Sequence, residues 1–368
     1  MVGTSRLTRR NILASAAGAA LAGGALRARA SVGDGRPDMI LVMADDPDFR
    51  WTLRHMPHTT KTVARKGVEF ANSFTDFSLC SPARASLYTG LSSTHHGILN
   101  DVPSGWTQLD PFMDNSLLTW ARDAGYRVGL FGKMQNGYHE DARVPPGVDV
   151  CAVECSSTAP FRYYGPKTKD QDGLVKTHHK DVYFTTLLSQ LACDFIATTP
   201  ADQPMLLVVC PLAPHGGGDD GAPTPEDKYL HAYDDVDMPE MPDFNEADVS
   251  DKPLGTVGAL PLADPEAMVF QWRMRRAALR SVDDMNLAIL QQAKASGRAK
   301  RTHFIFTGDN GWAQGEHRQR GKVFVYEETN RVPLVWSGPG IPATGQVRTE
   351  LIHNLDLTAT MVDLMGLT

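Results

Sequence analysis

Residues 38–46 read DMILVMADD: an apolar run from Met39 to Met43 that stops at two adjacent acids, Asp45 and Asp46. A strand with one wet face alternates apolar and polar residues, whereas a strand covered on both faces is apolar throughout. Three further stretches share this form. YRVGLFGKMQNGY (126–138) ends its apolar run at Phe131 and passes into Gly132-Lys133. PMLLVVCPLAPHGGG (204–218) runs from Met205 to Cys210 and turns at Pro211 towards His215. THFIFTGDNGW (302–312) runs from His303 to Thr307 and meets Asp309-Asn310. Helical stretches fall between these runs, at Leu117–Ala124, at Tyr183–Ile196 and over about Pro265–Ser296. Strands alternating with helices predict an α/β fold, with a mostly parallel central sheet flanked by helices on both faces. Ligands bind such sheets beyond the carboxyl ends of the strands. Asp45, Asp46, Lys133, His215, Asp309 and Asn310 each follow a run, so the fold would gather them on one edge.

A fifth stretch, SLCSPARASLYTG (78–90), predicts a short helix. Pro82 suits the first turn, where its missing N–H is no loss, and Gly90 suits the left-handed stop. Cys80 then lies at the helix start with Arg84 one turn in. By contrast, residues from Gly216 to Pro261 are rich in Gly, Pro, Asp and Glu and lack periodicity. They read as a long surface excursion, a lid or a substrate wall.

The first thirty residues carry Arg9-Arg10, an apolar run from Ile12 to Leu26 and then Ala28-Arg29-Ala30. This charged, apolar and small-residue order is that of an export signal, and the paired arginines resemble the twin-arginine type. The run is too short and too rich in Ala and Gly to span a bilayer stably. The expected division is a signal over 1–30 and a catalytic domain over 31–368. The expected address is periplasmic or secreted in a bacterium, with the twin-arginine export machinery as partner. Removing 1–30 takes away five arginines and no acid, moving the formal charge from −7 to −12. A chain this acidic is not suited to nucleic acid or an anionic membrane. Of the five cysteines, Cys151 and Cys155 are spaced to close a bridge, and reduced thiols fit the spacing as well.

Asp45, Asp46, Asp309 and Asn310 offer oxygen donors without an imidazole or thiolate pair, a set that selects Ca²⁺ or Mg²⁺ over Zn²⁺. Taken singly, each pair is equally a cap or turn motif. At corresponding places after two strands they favour a metal site.

CSPARASLYTG resembles the sulfatase signature Cys-x-Pro-x-Arg followed by Thr-Gly. ILVMADD, GK, APH, TGDNG and GKVFVYEETNRVPLVWSGPG resemble the remaining sulfatase blocks in the same order, across about residues 37–366. The resemblance implies the alkaline phosphatase-like sulfatase fold and hydrolysis of aryl or sugar sulfates. It implies that Cys80 is oxidised to Cα-formylglycine (3-oxoalanine) by the formylglycine-generating enzyme. The hydrated aldehyde would attack sulfur, pass through a covalent sulfo-enzyme ester and expel sulfate with its second hydroxyl. By similarity Asp45, Asp46, Asp309, Asn310 and residue 80 would hold Ca²⁺, ahead of Mg²⁺ or Mn²⁺. Arg84 would stabilise the ionised diol, Lys133 and Lys322 would contact sulfate oxygens, and His215 would protonate the departing alcohol.

Many sulfatases read Gly-Lys-x-His where this chain has GKMQNGY, with Gln135 in place of the histidine. That block and LYTGLSSTHHGILND resemble the N-acetylglucosamine-6-sulfatase and arylsulfatase branch, which makes Asn136 a candidate substrate-binding residue. The chain stops at TATMVDLMGLT, where members usually continue into a smaller C-terminal subdomain, so a truncated member or a fragment is expected. A phosphonate monoester or phosphodiester hydrolase on the same scaffold is the first alternative. A catalytically silent carbohydrate-binding relative is the second.

Overall fold

The computed structural model describes residues 35–101, 103–156, 162–217, 221–239, 241–252 and 265–367. The signal-like segment 1–30 lies outside them, as does part of the Gly216–Pro261 excursion.

The four apolar runs form the middle of a ten-stranded sheet. They are β1 (Asp38–Ala44), β3 (Arg127–Gly132), β7 (Met205–Cys210) and β8 (Thr302–Gly308). With β2 (Val68–Phe74), β4 (Val150–Glu154), β5 (Lys167–Asp170), β6 (Val175–Thr177), β11 (Val335–Ser337) and β12 (Gln346–His353), the order is β12-β2-β11-β8-β1-β7-β3-β4-β5-β6. The central five, β8-β1-β7-β3-β4, are parallel throughout; β11 and β5 run against their neighbours. A separate two-stranded ribbon pairs β9 (Ala313–Gln314) with β10 (Arg320–Gly321).

Continuous apolarity has the expected cause. Met39, Leu41 and Met43 of β1 enter one buried cluster, and Ile40, Val42 and Ala44 enter another on the opposite face. The first is roofed by α2 (Cys80–Thr89), α3 (Leu117–Asp123) and α6 (Asn354–Met365), the second by α1 (Pro57–Thr62), α4 (Phe184–Thr198) and α5 (Pro265–Ala295). Each fully buried large side chain contributes about 1.5–3 kcal/mol relative to exposure, so these central strands anchor the molecule.

The α2 helix is buried along its whole length. Its first-turn amide at Ser81 is capped from outside by Asp101 Oδ1 at 3.1 Å, and Gly90 ends it at φ +67°. The strands not anticipated from sequence lie towards the sheet edges or run antiparallel. In β12, for example, Val347 and Leu351 stay exposed, so no continuous apolar run marks it. All five cysteines are free thiols, including Cys151 and Cys155.

Candidate active site

The chain brings the carboxyl ends of β1, β3, β7 and β8 together, and with them Asp45, Asp46, Lys133, His215, Asp309 and Asn310. The amino end of α2 points Cys80 into the same place, and the β9–β10 ribbon delivers Lys322. Cys80 is fully buried. Its thiol donates to Asp45 Oδ1 at 3.4 Å and accepts from Lys133 Nζ at 3.5 Å and Lys322 Nζ at 2.7 Å. Lys133 pairs with Asp45 at 2.5 Å and Lys322 with Asp46 at 2.6 Å. Arg84 Nε donates to Asp309 Oδ2 at 2.9 Å, and its guanidinium lies 3.8 Å from Asp45.

Adjacent side chains on a strand point to opposite faces. The two acids escape this because β1 ends at Ala44 and Asp46 takes a left-handed backbone, φ +62°. Its amide is held by Asp309 Oδ1 at 3.0 Å. Asp45, Asp46 and Asp309 thereby place carboxylate oxygens within 4.8 Å of one another, all buried. Asp46 Oδ2 and Asn310 Oδ1 are buried and accept no hydrogen bond. Leaving such oxygens dry and unpaired costs about 1–3 kcal/mol each, more for a charged one. Two such oxygens left open beside the Asp45 and Asp309 carboxylates fit a divalent cation of the Ca²⁺ or Mg²⁺ type.

The electrostatics are tightly coupled. Burial alone would raise the Asp45 carboxyl, yet Lys133, then His215 and Arg84, hold it below the usual carboxylate range. Burial likewise opposes ionisation of Asp46, and Lys322 and His215 overcome it. Burial first, and Asp45 second, push the Cys80 thiol far up, so it stays protonated. A buried thiol of this kind is a poor nucleophile. Burial disfavours the Lys322 ammonium, but Asp46 keeps it charged.

His215 Nε2 lies 3.8 Å from Asp46 Oδ2, while Nδ1 is engaged by the carbonyl of Gly216. The bond to a carbonyl assigns the Nδ1 proton, which leaves Nε2 facing the site. Burial holds the imidazole below its ordinary value despite Asp45 and Asp46. Tyr163 O–H anchors the same turn through the His215 carbonyl at 2.6 Å.

Gln135 donates from Nε2 to the Ser81 carbonyl at 3.1 Å, so it braces the start of α2. Asn136 holds the neighbouring turn: its carbonyl accepts from Trp106 N–H at 2.8 Å, and its Oδ1 is buried without a donor. Sequence reasoning passed over two side chains of α5 and the β8 turn. Arg275 donates to backbone carbonyls on both the Asp46 and His215 turns, and its guanidinium lies 5.0 Å from the centre of the Trp312 ring. The available signal was QWRMRRAALR (271–280), where Arg275 and Arg276 sit among Trp272, Met274, Ala277, Ala278 and Leu279, all buried.

The family model described as Sulfatase matches residues 37–367. The extracellular sulfatase SULF-1 homolog of Drosophila melanogaster is 29% identical over 348 residues, covering 90% of this chain and 30% of that protein. The N-acetylglucosamine-6-sulfatase of Capra hircus is 27% identical, covering 92% of this chain and 62% of that one. The chain thus spans less than two thirds of these curated relatives. Among solved structures, a protein in complex with its substrate D-glucosamine-2-N,6-O-disulfate superposes with TM-score 0.71 at 19% identity, covering 90% of this chain and 77% of that one. The phosphonate monoester hydrolase of Agrobacterium radiobacter gives 0.65 at 20%, covering 90% and 74%. At these identities the two structures establish the shared fold.

Proposed function

This chain belongs to the sulfatase family, and from that premise we propose that it hydrolyses sulfuric esters at the carboxyl edge of its sheet. The observation that carries the reading is the surrounding of Cys80: one carboxylate and two ammonium groups reach a buried thiol at 2.7–3.5 Å. Two cations so placed serve a transferring anionic group better than they serve a protonated thiol. Cys80 is then a precursor, whose Cβ exchanges its sulfur for a carbonyl oxygen. That oxidation falls to the formylglycine-generating enzyme with an external oxidant. The hydrated aldehyde would supply a hydroxyl nucleophile and a second hydroxyl to release sulfate; Asp45, Asp46, Asp309, Asn310 and residue 80 would hold Ca²⁺, which would supply Lewis-acid stabilisation.

The remaining roles belong to the chain. Arg84 fixes Asp309 and favours an ionised oxygen at position 80. Lys133 and Lys322 turn from Asp45 and Asp46 towards sulfate oxygens when substrate enters. His215, held at Nδ1 by the Gly216 carbonyl, delivers a proton from Nε2 to the leaving alcohol. The substrate's negative charge raises the imidazole and lets it carry that proton. Asn136, next to the Gln135 that braces the start of α2, is assigned to substrate on the strength of the GKMQNGY block. A sugar 6-sulfate is the favoured ester, supported by the GKMQNGY block and by the N-acetylglucosamine-6-sulfatase relatives.

Residues 1–30 support export by the twin-arginine route, with residues 31–368 as the catalytic domain, and relatives named as extracellular sulfatases agree with that address. No helix among the described residues is long and apolar enough to cross a membrane.

Mass measurement of the tryptic peptide ending at Arg84 tests the nucleophile. The aldehyde or its diol is expected, and an unmodified thiol in active exported protein overturns it. Kinetics test the ester: an aryl phosphonate preferred over an aryl or sugar sulfate by orders of magnitude in kcat/KM establishes the phosphonate hydrolase alternative instead.

A further inference from the structure

We propose that Arg275 is the positioning residue that joins the two turns of the site, fixing the left-handed Asp46 peptide and the turn bearing His215 with one guanidinium. The assignment rests on the metal reading of the acids given above.

Arg275 leaves α5 at a position only 2% exposed. One arm of its fork donates to the carbonyl of Pro214 at 2.9 Å and the other to the carbonyl of Asp46. These carbonyls lie far apart in sequence, at the ends of β1 and β7. A planar guanidinium donates along two fixed directions at once, so it sets the distance and tilt between the two turns. A lysine ammonium in the same place satisfies one carbonyl.

The need for such a clamp is visible at Asp46. A non-glycine residue at φ +62° costs of order 1 kcal/mol or more and persists only where its surroundings hold it. Its amide is held by Asp309 and its carbonyl by Arg275, so both ends of the strained residue are tied. This conformation is what turns the Asp46 carboxylate back beside Asp45. Arg275 also lies over the Trp312 ring, 5.0 Å from its centre, and Lys322 Nζ stands 5.9 Å from the same centre. The β8 turn is therefore registered against the same guanidinium. Arg275 touches no reacting atom; it acts through the ligands and the acid.

The test compares Arg275→Lys and Arg275→Gln with wild type and with Met285→Ala, a core change in the same helix that lowers stability without reaching either turn. The first readout is thermal stability across a Ca²⁺ titration, which needs no turnover. Both Arg275 variants should need about 10–100-fold more Ca²⁺ for half the wild-type stabilisation, the range usual for groups that orient metal ligands. Met285→Ala should keep the wild-type midpoint. The second readout is kinetic: kcat should fall about 10–100-fold in Arg275→Lys, with KM within about threefold, because the sulfate-facing lysines are untouched. A Ca²⁺ midpoint and kcat within twofold of wild type in folded Arg275→Lys overturns the proposal. So does a Met285→Ala variant of equal melting temperature that reproduces both losses. If neither Arg275 variant folds, amide exchange of the wild-type protein decides. Ca²⁺ should slow peptides 39–48 and 211–217 together, and protection of one alone overturns the coupling. A wild type that binds Ca²⁺ but releases no sulfate defeats the sulfatase reading and leaves this test standing.

Discussion

The two ends of β1 present the same chemistry to different effect. At the amino end Asp38 is fully buried, and both its oxygens are taken: Arg298 reaches both at 3.1 Å, Arg301 reaches Oδ2 at 2.9 Å, and the Met205 amide reaches Oδ1 at 3.0 Å. Arg298 uses its other arm on the carbonyls of Thr199 and Pro200. At the carboxyl end, seven residues along, Asp45 and Asp46 share a buried space with Asp309, two lysines and an arginine, and Asp46 Oδ2 and Asn310 Oδ1 accept nothing. The amino end is a closed hydrogen-bond account that ties strand to helix. The carboxyl end pairs its charges yet leaves the buried oxygens Asp46 Oδ2 and Asn310 Oδ1 without a donor, and that is the mark of a site made for something else.

The largest expected effect tests the carboxyl end. Cys80→Ala should remove turnover by a factor on the order of 10⁴ or more, as loss of a covalent nucleophile does. Ca²⁺-dependent stabilisation should persist, weakened by one donor. A variant that still releases sulfate from an aryl sulfate at the wild-type rate places the chemistry elsewhere.

Next comes a pair of matched substitutions at the two ends. Asp38→Asn strips the charge from a buried network and leaves Arg298 and Arg301 facing a neutral partner. Denaturant unfolding should give a loss of about 3–5 kcal/mol, with kcat of the folded fraction unchanged. Asp46→Asn should cost less than that, because loss of the Lys322 pair is partly offset by relief of the repulsion from Asp309, while abolishing the Ca²⁺ response and most of the activity. If Asp46→Asn proves the more destabilising of the two, the contrast between the ends is wrong.

How far this contrast was legible in the sequence differs between the ends as well. Runs such as DMILVMADD declared the central strands because burial on both faces leaves a continuous apolar signature. The polar residues after each run then fell on one edge by topology alone. Asp45 and Asp46 could be placed beyond the strand, since their convergence demanded it, but the φ +62° that achieves it has no local signal. Asp38, just ahead of the apolar run, carries no local signal of its role. Its partners Arg298 and Arg301 lie some 260 residues on and meet it only when β8 pairs with β1. Arg275 was hidden for the same reason, because its partners are backbone carbonyls, which carry no sequence identity. The outer strands β5, β6 and β12 were not legible because one-sided or absent burial erases the pattern.

A smaller effect separates the two ends by pH. His303, paired in register with Met39 near the amino end of β1, is buried, and its Nδ1 accepts from Trp336 Nε1 at 3.1 Å. Burial lowers it to about 4 from an ordinary value of 6.5. The neutral ring is the folded form, so the unfolded chain takes up the proton first. The stability it protects is therefore complete above pH 6.5 and is lost as pH falls from 6.5 towards 4, amounting to about 3 kcal/mol. His303→Gln should reduce the pH dependence of stability in this window, leaving the share that His55 contributes, and keep the pH profile of kcat as it was. A shifted kcat profile in that variant means that the two ends communicate.

The smallest effect concerns the far end of the helix that begins at Cys80. Gly90 closes α2 at φ +67°, with only the Thr358 methyl and the Trp120 ring near the space a Cβ would enter, at 3.6 and 3.9 Å. Room is therefore available, and the whole cost of Gly90→Ala is conformational, about 1 kcal/mol. Cys80 is held at the other end by Asp45 and both lysines, and Ser81 by Asp101 and Gln135. A strained stop should thus lower the melting temperature by about 1–2 °C without moving kcat or the Ca²⁺ midpoint. If kcat falls with it, α2 transmits strain along its length, and the position of residue 80 is set by the helix as a whole rather than by the charges that surround it.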